Sequence, residues 1–450
     1  MILALLLLAG APDWVPARWH SNNPKSLDLV AQTPVNCVLI EKPQWSLEFN
    51  DAAVKRGIAA LGVIRPGGAT VDDARRAVAL HMTGVVLEGD FDAGVNAALA
   101  DSKITIVELP SRARMRFDQG RSVVGTWQGV WPGVLIEEGA VTKSGPSGAP
   151  WIDTNTGFLR FVRAATDGPV WIANTPPPKK TFSVERYQEV IGDAAASGAR
   201  WVVALDEDFE TRLLAGDAKA VEGWKRIGGH LRYYESHAEW KSLRPHANLA
   251  LVEGVKSGAL LSGGILDMIA VKNTPVRAVP DRKLSGDSMA QTKMAVNIDP
   301  DSLTLEQKEV LKAFTRNGGT LLTGPPGWKF PAQKDGQITL AKDDLEKLDE
   351  MWKELNSMTG RRNMGARLFN VSSMLSNLLE APGGKPVVLH LVNYADYPME
   401  AVTVHLLGSF KKASLFMPGA APKDLPVYEV EEGTGVDIDQ VNTVATLVLN

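Results

Sequence analysis

Acidic side chains recur at the ends of short apolar runs in this chain, and they are the residues best placed to do chemistry. Glu41 follows Val38-Leu39-Ile40, Glu88 ends Val85-Val86-Leu87, and Asp206-Glu207-Asp208 follow Trp201–Leu205; Asp153 and Asn155 stand in the stretch Trp151–Asn155. A carboxyl at the end of an apolar run is partly withdrawn from water, which raises its pKa and lets it hold a proton near neutrality. Beside a second, ionised carboxylate, such a group can protonate a departing oxygen while its partner acts as nucleophile or base, the chemistry of glycosidic-bond hydrolysis. Glu88 is the expected acid, with Asp206 or Asp153 as its partner. Each also has a plainer role: Asp206 fits the N-cap of the next helix, Asp153 and Asn155 fit a turn or cap before a helix at Phe158, and Glu41, ahead of Lys42-Pro43, fits an exposed loop.

Five tryptophans, Trp19, Trp45, Trp127, Trp131 and Trp151, stand at or just beyond the ends of apolar runs. Flat rings stack on the apolar faces of sugars, and His20, Glu41, Arg65, Asn155 and Asn174 supply polar partners for hydroxyls; packing beneath long loops is the alternative for some of the rings. Two readings follow. One is a hydrolase of oligo- or polysaccharides working without cofactor. The other is a carbohydrate-binding protein that has lost a catalytic carboxylate, which the run Val170–Thr175 favours because it ends in Asn174 and carries no acid. The histidines form no metal-ligand pattern: His230 and His237 share a helix without the H-E-x-x-H spacing, and Gly324-Pro325-Pro326-Gly327-Trp328-Lys329 lacks the phosphate-loop spacing.

These residues need elements to gather them. From Pro12 to about Trp240 the chain alternates buried β-runs with helix-like stretches such as Val71–Leu80 and Val184–Ser197, the texture of parallel strands joined by crossovers. The runs are Trp14–Trp19, Asn36–Ile40, Gly57–Ile64, Gly84–Leu87, Ile104–Leu109, Val123–Trp127, Val170–Ala173 and Trp201–Leu205. Eight such units predict a (β/α)8 TIM barrel over 12–243, with its chemistry where the strands end. An open doubly wound sheet competes, but no glycine-rich phosphate turn follows the first strand. Residues 244–380 read as a small doubly wound α/β domain, with strands at Asn248–Val252, Val276–Val279, Lys293–Ile298 and Thr320–Thr323 and helices at Gly264–Val271, Leu305–Thr315 and Lys342–Met358. From 381 to 450, short alternating runs predict an antiparallel β-sandwich.

The chain has 450 residues with 48 Lys+Arg and 52 Asp+Glu, a net charge of −4. That near-balance excludes the basic footprint of a general nucleic-acid binder. A single cysteine, Cys37, excludes an intrachain disulfide framework and a Cys-rich zinc site. Met1–Ala11 has the apolar run and small-residue end of a cleaved signal peptide, although it carries no Lys or Arg. A buried first strand is the alternative. The expectation is a secreted or periplasmic protein with no membrane anchor after cleavage.

The order barrel, small doubly wound domain, sandwich resembles multidomain glycoside hydrolases of the β-galactosidase type. In the middle domain the resemblance rests on Leu266-Asp267-Met268, Pro275-Val276-Arg277 and Leu303–Gly324, and in the sandwich on His390-Leu391-Val392-Asn393-Tyr394. The barrel, through Gly145–Asn155 and Gly198–Asp206, is similar to a less characterised bacterial branch of such proteins. The resemblance implies a carbohydrate ligand and an amidotransferase-like middle domain that acts as a structural or homo-oligomerising module. A glutaminase needs a cysteine nucleophile and this domain has none, so amidotransfer is excluded. In that hydrolase type the acid ends strand four and the nucleophile strand seven. Here strand seven ends in Asn174, a departure from the pattern.

Overall fold

A computed structural model of the chain describes residues 13–99, 104–117, 121–145, 154–261, 265–324, 328, 338, 342–360 and 365–450. The predicted signal peptide, Trp151 and Asp153 lie outside the described residues.

Eight parallel strands build the first domain: β1 (Pro16–Trp19), β2 (Cys37–Ile40), β3 (Ala59–Ile64), β4 (Gly84–Glu88), β5 (Thr105–Leu109), β6 (Val124–Thr126), β7 (Val170–Ala173) and β8 (Arg200–Val202). Strands β1 to β5 pair in chain order, as do β6 to β8. The two runs meet where Arg18 N donates to Val203 O (2.7 Å) and Val203 N to Pro16 O (3.1 Å). At the other seam, the hydroxyls of Ser122 and Thr126 donate to Ile106 O (2.7 Å) and Pro110 O (2.8 Å). The strands are apolar on both faces because both are covered. Cys37, Leu39, Leu61, Val63, Val86, Val107, Trp171 and Val202 fill the interior. The alternate residues Val38, Ile40, Ala60, Ile64, Val85 and Leu87 pack outward under the helices.

Six of the helices around the strands are α1 (Leu47–Lys55), α2 (Thr70–Ala79), α3 (Thr156–Ala165), α4 (Val184–Ala195), α5 (Glu207–Leu214) and α6 (Ala218–Glu235). Ser46, Ser183, Asp206 and Asp217 cap α1, α4, α5 and α6 by accepting from a backbone amide of the first turn. Between β6 and α3 the chain makes an antiparallel hairpin, Val134–Glu138 with Val141–Gly145, which the sequence texture did not announce.

The second domain is a four-stranded parallel sheet of β9 (Leu249–Glu253), β10 (Val276–Pro280), β11 (Met294–Asn297) and β12 (Thr320–Thr323), in the order β10-β9-β11-β12. Helices α7 (Ile265–Val271), α8 (Leu305–Arg316) and α9 (Lys342–Thr359) accompany it. A Thr304/Gln307 capping box starts α8, and Gly318 at φ +90° follows its end.

Two antiparallel sheets close the chain. One holds Met374–Glu380, Val387–Asn393, Val444–Leu449, Ala413–Phe416 and Lys423–Leu425, with Arg244–Pro245 on its edge; the other holds Ala366–Phe369, Met399–Leu407, Gly433–Val441 and Val427–Val430. Leu389, Leu391, Val402, Val404, Val436, Ile438 and Leu447 form the core between them. Apart from the edge strand Arg244–Pro245, strand pairing in these sheets starts at Ala366, ahead of the boundary expected at residue 381.

Buried polar groups join the three parts around α3 and α4. Asp193 accepts from Tyr394 Oη (2.6 Å), Thr154 Oγ1 (2.7 Å) and Asn155 Nδ2 (2.8 Å), while Gly157 N donates to Asp267 Oδ1 (2.8 Å) and Arg160 Nη2 to Ser376 O (2.8 Å). Burial raises the Asp193 pKa, and these donors oppose the shift.

Candidate active site at the barrel mouth

Side chains alternate along a strand, so residues of inward parity just past the last apolar layer must face the mouth. Those residues are Arg18 and His20 on and after β1, Glu41 after β2, Arg65 after β3 and Glu88 at the end of β4. They meet in one charged cluster. Arg65 Nη1 donates to Glu41 Oε2 (2.6 Å), and Arg65 Nη2 donates to both Glu41 Oε1 (2.9 Å) and Glu88 Oε1 (2.9 Å). From below, buried Arg18 donates to Glu41 Oε1 (3.1 Å) and to Glu88 Oε2. His20 adjoins them: Glu210 of α5 accepts from His20 N (2.9 Å) and lies 2.6 Å from His20 Nδ1.

One nitrogen of Arg65 touches an oxygen of each glutamate at 2.9 Å, so those oxygens lie no further apart than twice that length. A carboxylate pair about 5–5.5 Å apart is the spacing of retaining glycoside hydrolysis. Burial pushes the Glu41 pKa up, but the Arg65 bonds and the charges of Arg65 and Arg18 outweigh it, and its carboxyl sits below the ordinary value. Glu88 is not the solitary buried carboxyl expected from its apolar run. Both its oxygens accept from guanidinium groups, the arrangement of a charge-paired carboxylate.

A cleft of ≈ 630 Å³ opens over this cluster, lined by His20, Glu41, Gln44, Arg65, Thr70 and Asp73 among others. A second cleft of ≈ 330 Å³ lies past the ends of β4 and β5, lined by Gly89, Asp90, Phe91, Glu108, Arg114 and Arg116 among others.

Asp206 is not in this group. Its Oδ1 accepts from Phe209 N (2.9 Å) as the cap of α5, and its Oδ2 accepts from Tyr187 Oη (2.8 Å) and Phe182 N (3.1 Å), so buried donors occupy both oxygens. Asn155 is fully buried, tied to Val130, Arg112 and Asp193. Asn174 donates to Gly129 O (2.7 Å) and fixes the turn after β6. There Gly129 is required, because a Cβ would come within 2.6 Å of the Trp201 ring.

The tryptophans divide by parity. Trp127 continues the inward set of β6 and is exposed at 39 %. Trp19 points outward, bonded through Nε1 to Ser26 Oγ (2.9 Å) and packed on Trp224. Trp45 lies on the outer face of β3, where a Cβ on Gly62 would come within 2.7 Å of its ring, and its Nε1 donates to Ile40 O (2.9 Å). Trp131 is buried among Phe182, Tyr187 and Trp201. Trp19, Trp45 and Trp131 therefore belong to the packing between strands and helices. Trp151 and Asp153 fall outside the described residues.

Two members of the cluster escaped the sequence reading. Arg18 carries a signal, a charge at an inward position of an otherwise apolar strand. Glu210 carries none, since its partner His20 is 190 residues away. Among the described residues, no group of three or more His, Cys, Asp and Glu side chains is arranged to hold a metal ion, and no helix is long and apolar enough to cross a membrane.

Solved structures with the same arrangement include α-L-fucosidase isoenzyme 2 from Paenibacillus thiaminolyticus, at a TM-score of 0.67 and 10% identity over 97% of this chain and 99% of that one. The fold is glycoside-hydrolase-like. A catalytic mutant of a GH42 β-galactosidase from G. stearothermophilus is similar at a TM-score of 0.57 and 10% identity, covering 98% of each chain. No protein-family model matches the sequence, and neither does any curated protein. At such identities the likeness speaks for the fold alone.

Proposed function

We propose that this protein hydrolyses glycosidic bonds of an oligo- or polysaccharide at the C-terminal mouth of its barrel, with Glu41 and Glu88 as the carboxylate pair. The observation that carries the reading is the single Arg65 nitrogen shared by the two glutamates at 2.9 Å each, which keeps two carboxylates close together at the barrel mouth, within the reach that glycoside hydrolysis asks of its pair. The cleft over Glu41, Arg65 and His20 leaves room for sugar, and exposed Trp127 offers a ring face. Glu41, kept ionised by Arg65 and Arg18, suits attack on the anomeric carbon or stabilisation of an oxocarbenium-like transition state.

A second reading, a carbohydrate-binding protein without turnover, draws support from the guanidinium groups on both carboxylates and from Asn174 at the end of the seventh strand. Hydrolysis of a panel of aryl glycosides and polysaccharides by the intact protein, Glu41→Gln and Glu88→Gln separates the two. Turnover lost in both variants supports the hydrolase. Saccharide binding with no turnover by any of the three supports the binder. Export by way of residues 1–11 belongs to the same proposal, and the N-terminal sequence of the mature protein tests it.

A further inference from the structure

A retaining pair ordinarily draws the proton for the departing oxygen from one of its own carboxyls, but here Glu41 is kept ionised by Arg65 and Arg18. Both oxygens of Glu88 already accept from Arg18 and Arg65, and Asp206 is consumed by its cap and by Tyr187. We propose that His20, held by Glu210, is the general acid that protonates the glycosidic oxygen. This inference rests on the hydrolase reading given above.

The geometry is that of an oriented donor. Glu210 grips His20 twice, at its backbone N (2.9 Å) and at its ring Nδ1 (2.6 Å), which fixes the ring relative to its own backbone. With Nδ1 engaged by a carboxylate, Nε2 is the nitrogen left to meet a ligand. Among the described residues nothing bonds to Nε2, and the side chain is 39 % exposed on the cleft that Glu41 and Arg65 also line. The charged groups around the ring are Glu210 from α5, Glu41 from beyond β2 and Arg18 from β1. The Glu210 hydrogen bond raises the His20 pKa against the opposing effect of burial, with the charges of Glu210 and Glu41 adding to the rise and Arg18 reducing it. The imidazolium is thereby favoured near neutral pH, where a proton donor is needed.

In the first step the Nε2–H proton passes to the glycosidic oxygen as the bond from that oxygen to the anomeric carbon breaks. The bonding electron pair leaves with the oxygen, and a carboxylate oxygen of the Glu41–Glu88 pair bonds to the carbon. In the second step water attacks that carbon and releases the carboxylate, and the proton lost by water returns to Nε2. The sum is one water consumed and two hydroxyl groups formed, with His20 restored.

Leaving-group dependence tests this. A dinitrophenolate departs without protonation, whereas an alkoxide does not. His20→Ala is expected to lose on the order of 10²–10⁴-fold in kcat/KM for an alkyl glycoside, the contribution typical of a positioned acid, while its kcat/KM for the matching dinitrophenyl glycoside, which reads only the first step, stays within about tenfold of the intact protein. His20→Asn, which keeps a donor near the position of Nδ1 for Glu210, should behave alike and serves if the alanine variant does not fold. Glu210→Gln should move the alkaline limb of the kcat/KM profile to lower pH. Equal losses of kcat/KM on both glycosides, or none on the alkyl glycoside, would overturn the assignment while leaving the hydrolase intact. No turnover of either glycoside by the intact protein would instead overturn the hydrolase reading, and this inference with it.

Discussion

Replacing Asp206 by alanine separates a structural carboxylate from a reacting one. In the folded protein its oxygens satisfy Phe209 N, Phe182 N and Tyr187 Oη, all within buried surroundings. Loss of a helix N-cap costs about 1 kcal/mol. Each further buried donor left without an acceptor costs about 1–3 kcal/mol, so the two remaining donors bring the loss to roughly 3–7 kcal/mol. That is a large part of the ~5–15 kcal/mol that holds a typical domain folded. At about 2–4 °C per kcal/mol for a domain of this size, the melting temperature should fall by on the order of 10 °C or more. Tyr187→Phe removes one of the three donors, so it should cost less alone and should soften the effect of Asp206→Ala in the double variant, as coupled neighbours do. Thermal and urea denaturation of the four proteins measure this. An Asp206→Ala protein that melts like the parent yet loses turnover of a glycoside would refute the reasoning, because its carboxylate would then be acting on substrate.

Other consequences follow from the same geometry. Arg65→Met should raise the Glu41 pKa from its lowered value and shift the acid limb of the pH–rate profile to higher pH; an unmoved limb would mean that Arg65 does not set the ionisation of Glu41. Trp131→Ala, which opens a hole among three aromatic rings, should cost about 3–5 kcal/mol of stability by denaturation. Trp127→Ala should stay within about 0.5 kcal/mol of the parent in stability while weakening saccharide binding by calorimetry. Because the folded His20 pKa lies above its ordinary 6.5, its contribution to stability is complete below that value and fades as pH rises through the folded pKa. The stability advantage of the parent over Glu210→Gln should therefore be larger at about pH 5 than at about pH 9, as urea titrations at the two values would show.

The barrel was legible because burial on both faces gives each strand a continuous apolar run, and each of the eight expected runs contains or overlaps a strand. The middle domain was legible for the same reason, helped by the polar Thr304 and Gly318 that bound α8. The hairpin Val134–Gly145 was hidden, since two short strands of mixed polarity look like loop. At the site, position past a strand end found Glu41, Arg65, Glu88 and His20, but did not tell Trp127 from Trp19. Parity tells them apart: Trp19 lies one residue from inward Arg18, so it must face the helices. Asp206 shows the limit of residue type as a guide, because a carboxylate at a strand end serves a helix cap as well as a substrate. Glu210 was beyond reach, being brought to His20 by closure of the ring between β8 and β1, a contact no local pattern encodes.

The most direct test of the central claim is a structure of the protein with a bound oligosaccharide. A sugar ring is expected in the cleft over Glu41, Arg65 and His20, with a glycosidic oxygen within hydrogen-bond reach of His20 Nε2. A saccharide held only on the terminal β-sheets, with the barrel mouth empty, would contradict it.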